Sequence, residues 1–135
     1  VGSVVVAALV GASTAGAARN LCTAAQPIVK GVLGVPNTPL KEYHHQAGIF
    51  LFCQYGPSEG GAAITENPNV TAAAFKAKQH SMGGVATSGV GVPAFLVPGS
   101  FPTLYFLKGT TELSVGAKVS SGRLRSAARA ILRIA

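Results

Sequence analysis

From Leu21 to Leu33 the apolar positions are Leu21, Ala24, Ala25, Ile28, Val29, Val32 and Leu33, spaced alternately by three and by one. That rhythm gathers them on one side of a 3.6-residue turn and predicts an amphipathic helix over 21–33. Asn20 or Thr23 caps its start, Pro27 falls within the early turns, and Gly34 stops it. Pro36 and Pro39 then hold the chain extended.

The period next shortens to that of strands. Leu40–Gln46 reads as a fairly polar edge strand, and Gln46-Ala47-Gly48 as a turn. Ile49–Tyr55, with its aromatic run Phe50-Leu51-Phe52-Cys53-Gln54-Tyr55, is a strand buried on at least one face. Ala62–Glu66 is a third strand, ended by Asn67-Pro68-Asn69. A second helix is predicted over about 70–82, capped by Asn69 or Thr71 and ended by Gly83-Gly84. Its pattern is only weakly amphipathic, so it should pack shallowly through Phe75 and Met82.

Val85–Gly99 is rich in glycine and proline, with Ala94–Val97 as a short strand inside it. Leu104–Leu107 and Glu112–Val119 form a hairpin about Lys108-Gly109-Thr110-Thr111. In the second of these strands Leu113, Val115, Ala117 and Val119 alternate with polar or small residues, which predicts one wet face. After Ser120-Ser121, Leu124, Ala127, Ala128, Ile131, Leu132 and Ala135 mark one face of a last helix. Arg125, Arg129 and Arg133 recur every four residues on another face, with Arg123 nearby. The elements sum to one α+β domain over 18–135: a mostly antiparallel sheet of five or six strands, with about three helices on one face.

The segment before this domain has no place in such a fold. Val4–Ala12 is an apolar run followed by Ser13-Thr14-Ala15-Gly16-Ala17, an h-region and an Ala-x-Ala cleavage site, so residues 1–17 are expected to be a signal peptide whose basic n-region is missing. A membrane span needs about 20 apolar residues, and this run is shorter, so the mature chain is expected to carry no integral span. Retention of 1–18 as an anchor is the alternative. Arg19-Asn20-Leu21 before Cys22 does not match a lipid-attachment site, which wants small residues there. Export changes how the two cysteines are read. In an oxidising compartment Cys22 and Cys53 are expected to form a disulfide rather than a redox pair or a metal site. Such a link stabilises a small domain by about 3–4 kcal/mol in the chain-entropy model.

Charge adds a partner class. Eleven Lys and Arg face four glutamates and no aspartate, for a formal net charge of +7. Four of the eleven lie on the last helix as Arg123, Arg125, Arg129 and Arg133. This favours anionic partners such as envelope polymers or lipid headgroups. The helix has no interleaved aromatics, which disfavours nucleic acid. A solvated basic face that complements the helix dipole explains the same arginines.

Catalytic patterns are missing. Without aspartate there is no Ser-His-Asp set, and no serine sits in a Gly-x-Ser-x-Gly elbow. The four glutamates lie in polar stretches expected to be exposed, so no carboxylate pair is indicated. Gly89-Val90-Gly91 lacks the remainder of a phosphate loop and reads as a turn. His44 and His45 are adjacent on a strand and so point to opposite faces, while His80 stands on the second helix; no metal site and no cofactor are expected.

Several short motifs occur together in order: Asn20-Leu21-Cys22-Thr23 with Leu33-Gly34, Cys53-Gln54-Tyr55, Gly89-Val90-Gly91-Val92-Pro93-Ala94-Phe95, Leu104–Gly109 and the closing Ala-rich helix. The chain thereby resembles small secreted or lipid-anchored actinobacterial domains of unknown function, similar to the extracellular sensor domains of mycobacterial receptor kinases. The resemblance implies helices against an antiparallel sheet, a Cys22–Cys53 disulfide and no catalytic residues. Two departures stand out: the lipid-attachment cysteine of many members is absent, and Val92 stands where an acidic residue is common.

The expectation is therefore a secreted, envelope-associated, sensor-like domain that binds a small ligand or an envelope component without turning it over. A basic surface that binds anionic polymer or membrane through the arginine helix is the second reading, and a small hydrolase the third. Any pocket is expected between the sheet, the second helix and the 85–99 loop, because that helix packs least completely.

Overall fold

The structure, a computed structural model, describes residues 20–135, so the leader expected at 1–17 lies outside the described residues. Asn20 is the N-cap of the first helical segment; its side chain accepts from the amides of Cys22 and Thr23. α1 (Leu21–Ala24) and α2 (Gln26–Ile28) run into a π-helical turn, Val29–Leu33. The helix expected over 21–33 is thus a stack of turns with two changes of pitch. Pro27, which has no amide hydrogen to give to a preceding turn, accounts for the first, at Ala25. The apolar stripe survives the changes: Leu21, Cys22, Ala25, Val29 and Leu33 are all buried. Gly34, at φ +68°, closes the segment in the left-handed region that glycine enters without a Cβ clash.

Among the described residues seven strands make one antiparallel sheet: β1 (Leu40–Gln46), β2 (Ile49–Tyr55), β3 (Ala62–Asn67), β4 (Val85–Ala86), β5 (Ala94–Val97), β6 (Thr103–Lys108) and β7 (Thr111–Ala117). Their order is β1-β2-β3-β7-β6-β5-β4. The count exceeds the five or six expected because β4 is two residues long. No alternation can be read from two residues; pairing of Val85 with Leu96 and Ala86 with Phe95 creates the strand. β1 is an edge strand, as its polarity suggested.

The register writes two rows across all seven strands, one residue apart. Glu42, Cys53, Ile64, Val115, Leu104, Leu96 and Val85 lie in one row, and Tyr43, Phe52, Thr65, Ser114, Tyr105, Phe95 and Ala86 in the other. Alternate side chains of a strand point to opposite faces, so the first row belongs to an inner face and the second to an outer face. The inner row is aliphatic in its middle, the outer row aromatic and hydroxylic.

The remaining helices among the described residues are α3 (Ala72–Ser81) and α4 (Ser121–Ile134). α4 starts at Ser120, whose hydroxyl accepts from the Arg123 amide, and its Leu124, Ala127, Ala128, Ala130 and Ile131 are buried. With the first helical segment it covers the inner face, in one core with Ile64, Leu104, Phe106, Leu113 and Val115. α3 packs elsewhere, through Phe75 onto Phe95 and Leu107 of the outer face. The three helices therefore do not share one face. Loop length and helix pattern leave the choice of face open, and the odd-numbered side chains of β6 and the even-numbered ones of β7 decide it. The same arrangement removes the wet face expected for β7: Glu112 and Ser114 are 3% exposed, as buried as their aliphatic neighbours.

Cys22 and Cys53 are disulfide-bonded, with Cα atoms 5.3 Å apart. Both are wholly buried. The bond joins α1 to the centre of β2. Beside it the Tyr55 hydroxyl donates to the Cys22 carbonyl at 2.8 Å. Burial, and secondarily the Glu42 carboxylate, hold the Tyr55 phenol well above its ordinary pKa, so it stays a donor.

Candidate functional site

α3 is held by few contacts. Thr71 is its N-cap, the hydroxyl accepting from the Ala74 amide at 3.0 Å. Phe75 is the helix's one buried residue. Its ring lies 4.9 Å from Phe95, which in turn stacks on Tyr105 at 5.0 Å.

The second anchor is ionic. Lys78 Nζ donates to Glu112 Oε1 at 3.0 Å and stands 2.9 Å from Oε2, over the Tyr105 ring at 5.1 Å. Oε2 is buried and has only this Coulomb contact, without hydrogen-bond geometry. Glu112 thus departs from the expectation that all four glutamates are exposed. Its place on β7, beneath α3, is fixed by strand parity, and the helix lysine neutralises it. Tyr105 has a raised pKa; burial is the main cause, Lys78 opposes it and Glu112 adds to it. Glu66, half-buried on β3, is raised by burial alone.

Beside the Phe75 ring the contact with the sheet stops and a groove of about 400 Å³ opens.

 It is lined by Phe75, Lys76 and Gln79 of α3, by Thr87 and Val92 of the following loop, and by Leu107 of β6, among others. Its position is the one the sequence indicated for a pocket. Its floor is apolar; Lys76 is exposed at the rim, and Gln79 and Thr87 are half-buried polar groups beside it. The lining contains no carboxylate, imidazole or thiol.

The loop that walls this groove passes around the sheet edge to the other side of the molecule. Gly89 and Gly91 have φ of +86° and +98°, which gives the expected turn. Between them Val90 is 3% exposed, inserted into the inner core. Arg129 Nη1 donates to the Gly89 carbonyl at 2.6 Å. The α4 arginine thereby fastens the wall of a groove that α4 does not touch.

The arginine stripe is accordingly divided in its duties. Arg129 also donates to Ser126 Oγ at 3.1 Å. Arg123 donates to the Leu33 carbonyl at 3.4 Å, at the end of the first helical segment. Arg125 reaches Ser121 Oγ at 3.5 Å within α4. Arg133 is exposed in the last turn, where a cation suits the helix dipole. At the same end Lys108 Nζ donates to the carbonyls of Leu132 and Ala135, at 3.3 and 2.6 Å.

The histidines are dispersed. His44 Nε2 stands 3.5 Å from Glu42 Oε1, the His45 ring meets Phe50 edge-on at 5.0 Å, and His80 is exposed on α3. Among the described residues no three His, Cys, Asp or Glu side chains gather as a metal site would need. Nor is any described helix long and apolar enough to cross a membrane.

No site role for Lys78, Glu112, Lys76 or Gln79 was legible in the sequence. The available signal was small: an acid in a strand of otherwise apolar and small residues, with lysines on the helix that lacks a strong apolar stripe. Compared with protein-family models, with curated proteins and with solved structures, the chain finds no significant match.

Proposed function

We propose that this protein is a non-catalytic, sensor-like domain that works outside the cytosol and binds a small, largely apolar ligand in the groove between α3 and the 85–94 segment. The observation that carries this reading is the groove itself. Its volume of about 400 Å³ falls in the range of small-molecule sites, and its apolar floor meets polar groups only at Lys76, Gln79 and Thr87. A site with one cation and no carboxylate favours a ligand with an apolar body and an acidic or hydrogen-bond-accepting end. The absence of an acid-base pair in the lining supports binding without turnover. The buried Cys22–Cys53 bond supports an oxidising compartment. Val92, an uncharged residue of the lining, keeps that side of the groove free of negative charge. The arginine helix supports the polymer-binding alternative less well, because Arg123 and Arg129 already donate to backbone carbonyls.

Decanoate is the simplest probe of such a groove. Ala86 lines it and is exposed, so Ala86→Trp fills the space from outside the core. The parent protein is expected to bind decanoate by titration calorimetry and Ala86→Trp to lose that binding at an unchanged melting temperature. Equal binding by the two proteins refutes the assignment of the site.

A further inference from the structure

The outer face bears a second groove, of about 390 Å³, lined by Phe52, Gln54, Ser58, Ala63, Phe101 and Lys118 among others. It is independent of the α3 groove and shares no residue with it. α3 packs on the outer face at β5 and β6, whereas over β1–β3 the outer side chains stay half-buried or exposed. Phe101 and Phe50 are 37% and 40% exposed, an unusual position for rings of that size. Tyr43 meets Phe52 edge-on at 5.7 Å, which steadies the Phe52 ring.

The floor is built from small residues. A Cβ on Gly116 would come within 2.8 Å of the Phe101 ring, and one on Gly61 within 2.1 Å of the Tyr55 carbonyl oxygen. These two glycines therefore let the Phe101 ring and the neighbouring loop lie flat against the sheet. Cationic and amide groups stand at the margin: Lys118 and Gln54 line the groove, and Lys41 is the register partner of Gln54 on the same face. The nearest carboxylate in sequence is Glu59, exposed in the turn after Ser58.

We infer that this face binds an acidic polysaccharide, with sugar rings laid against Phe52 and Phe101 and a carboxylate directed to Lys118 or Lys41. The C–H face of a pyranose is weakly positive and suits the negative face of an aromatic ring. Gln54 and Ser58 can exchange hydrogen bonds with hydroxyl groups. A second copy of the chain fits poorly, since it would bring lysines and two +7 charges together. Single-stranded nucleic acid carries a phosphate at every residue and is gripped by a cationic groove. Gln54 and Ser58 beside two marginal lysines suit a polymer that offers several hydroxyl groups with each carboxylate, which a phosphodiester backbone does not.

Titration calorimetry with a polygalacturonate decamer tests this. The parent protein is expected to bind, with Phe101→Ala weakening the interaction about tenfold. Lys118→Gln should weaken it about threefold and reduce its salt dependence. Both side chains are exposed, so the variants should keep the parent melting temperature; if Phe101→Ala does not, Lys118→Gln and the exposed Lys41→Gln decide alone. Ala86→Trp, which blocks the other groove, should leave decamer binding unchanged. The inference is overturned by absent decamer binding, by parent affinity in both Phe101→Ala and Lys118→Gln, or by equal affinity for neutral dextran. Tighter binding of oligo(dT) would overturn it in favour of nucleic acid, and Phe101-dependent dimerisation in favour of self-association.

Discussion

The two faces of one sheet are treated very differently by the helices around them. On the inner face the first helical segment, α4 and the disulfide close a single aliphatic core, with Ile64, Val115, Leu124 and Ile131 wholly buried. On the outer face α3 is held by one phenylalanine and one ion pair, and two grooves remain open, one beside that helix and one over β2 and β3. Both faces are built from the same strands, so the contrast lies in the rows of side chains that the period of two sorts to each side. The lesson is a division of labour: one face supplies the folding energy, and the other is free to carry loosely packed helix, aromatic rings and open volume. Binding sites need surface that stability has not already consumed.

The strongest way to break the contrast is to loosen the inner face. Replacing both Cys22 and Cys53 by alanine is expected to cost about 3–4 kcal/mol in urea unfolding, and to lower the stability of all elements together. A local loss confined to the first helical segment would show that the bond tethers an accessory and not the core.

On the outer face Lys78→Met strands the Glu112 carboxylate, which is 3% exposed. The Lys78 side chain is 37% exposed, so solvent screens part of the loss and the cost is about 1–2 kcal/mol; this is expected to free the α3 amides to hydrogen exchange before those of β2 or α4. The double variant Lys78→Met/Glu112→Leu should recover most of the loss, because paired apolar residues avoid the desolvation of two charges. If the double variant is as unstable as the single, the pair is not what holds α3.

Arg129 spans the contrast, since it sits on α4 yet fastens the groove wall through the Gly89 carbonyl. Arg129→Leu is expected to lower stability by only about 1 kcal/mol. Its larger effect should be on decanoate, with affinity falling about fivefold because the 87–93 loop is no longer held in one position. Unchanged affinity would mean that Val90, buried in the core, fixes the loop alone.

The smallest expected effect is a pH dependence. Burial raises the pKa of Glu66 in the folded state above its ordinary 4.5, so the folded protein holds this proton to higher pH than the unfolded chain does. Between those two values the folded state binds more protons, and this group's contribution to stability falls as pH rises. Glu66→Gln should flatten the stability profile just above pH 4.5 in urea titrations, with no change below it. A profile identical to that of the parent would show that Glu66 is solvated.

Much of the architecture was legible residue by residue. The 3.6 period of Leu124, Ala127, Ala128 and Ile131 predicted α4, and Ser120 is its cap. The hairpin about Lys108 and Thr111, the edge position of β1 and the weak attachment of α3 followed equally from local pattern. The outlying groove was also indicated, because a helix without a strong apolar stripe leaves space beside it. Apart from the Cys22–Cys53 bond, what escaped were features made by two distant segments: the two-residue β4, the burial of Glu112, and the hold of Arg129 on Gly89. The predicted grouping of Arg123, Arg125, Arg129 and Arg133 as one surface failed to foresee that two of them serve carbonyls 90 and 40 residues away.

By itself, then, the order of residues determined where most of the helices and strands begin and which residues share a side of each, since period, caps and turn residues act over a few positions. Only the tertiary structure decided which side of the sheet each helix covers. That choice depends on strand order and register, which bring Phe75 to Phe95 and Lys78 to Glu112 across intervals no local pattern can span. The same choice left the Phe52 and Phe101 side bare, and with it the surface inferred to take a polysaccharide.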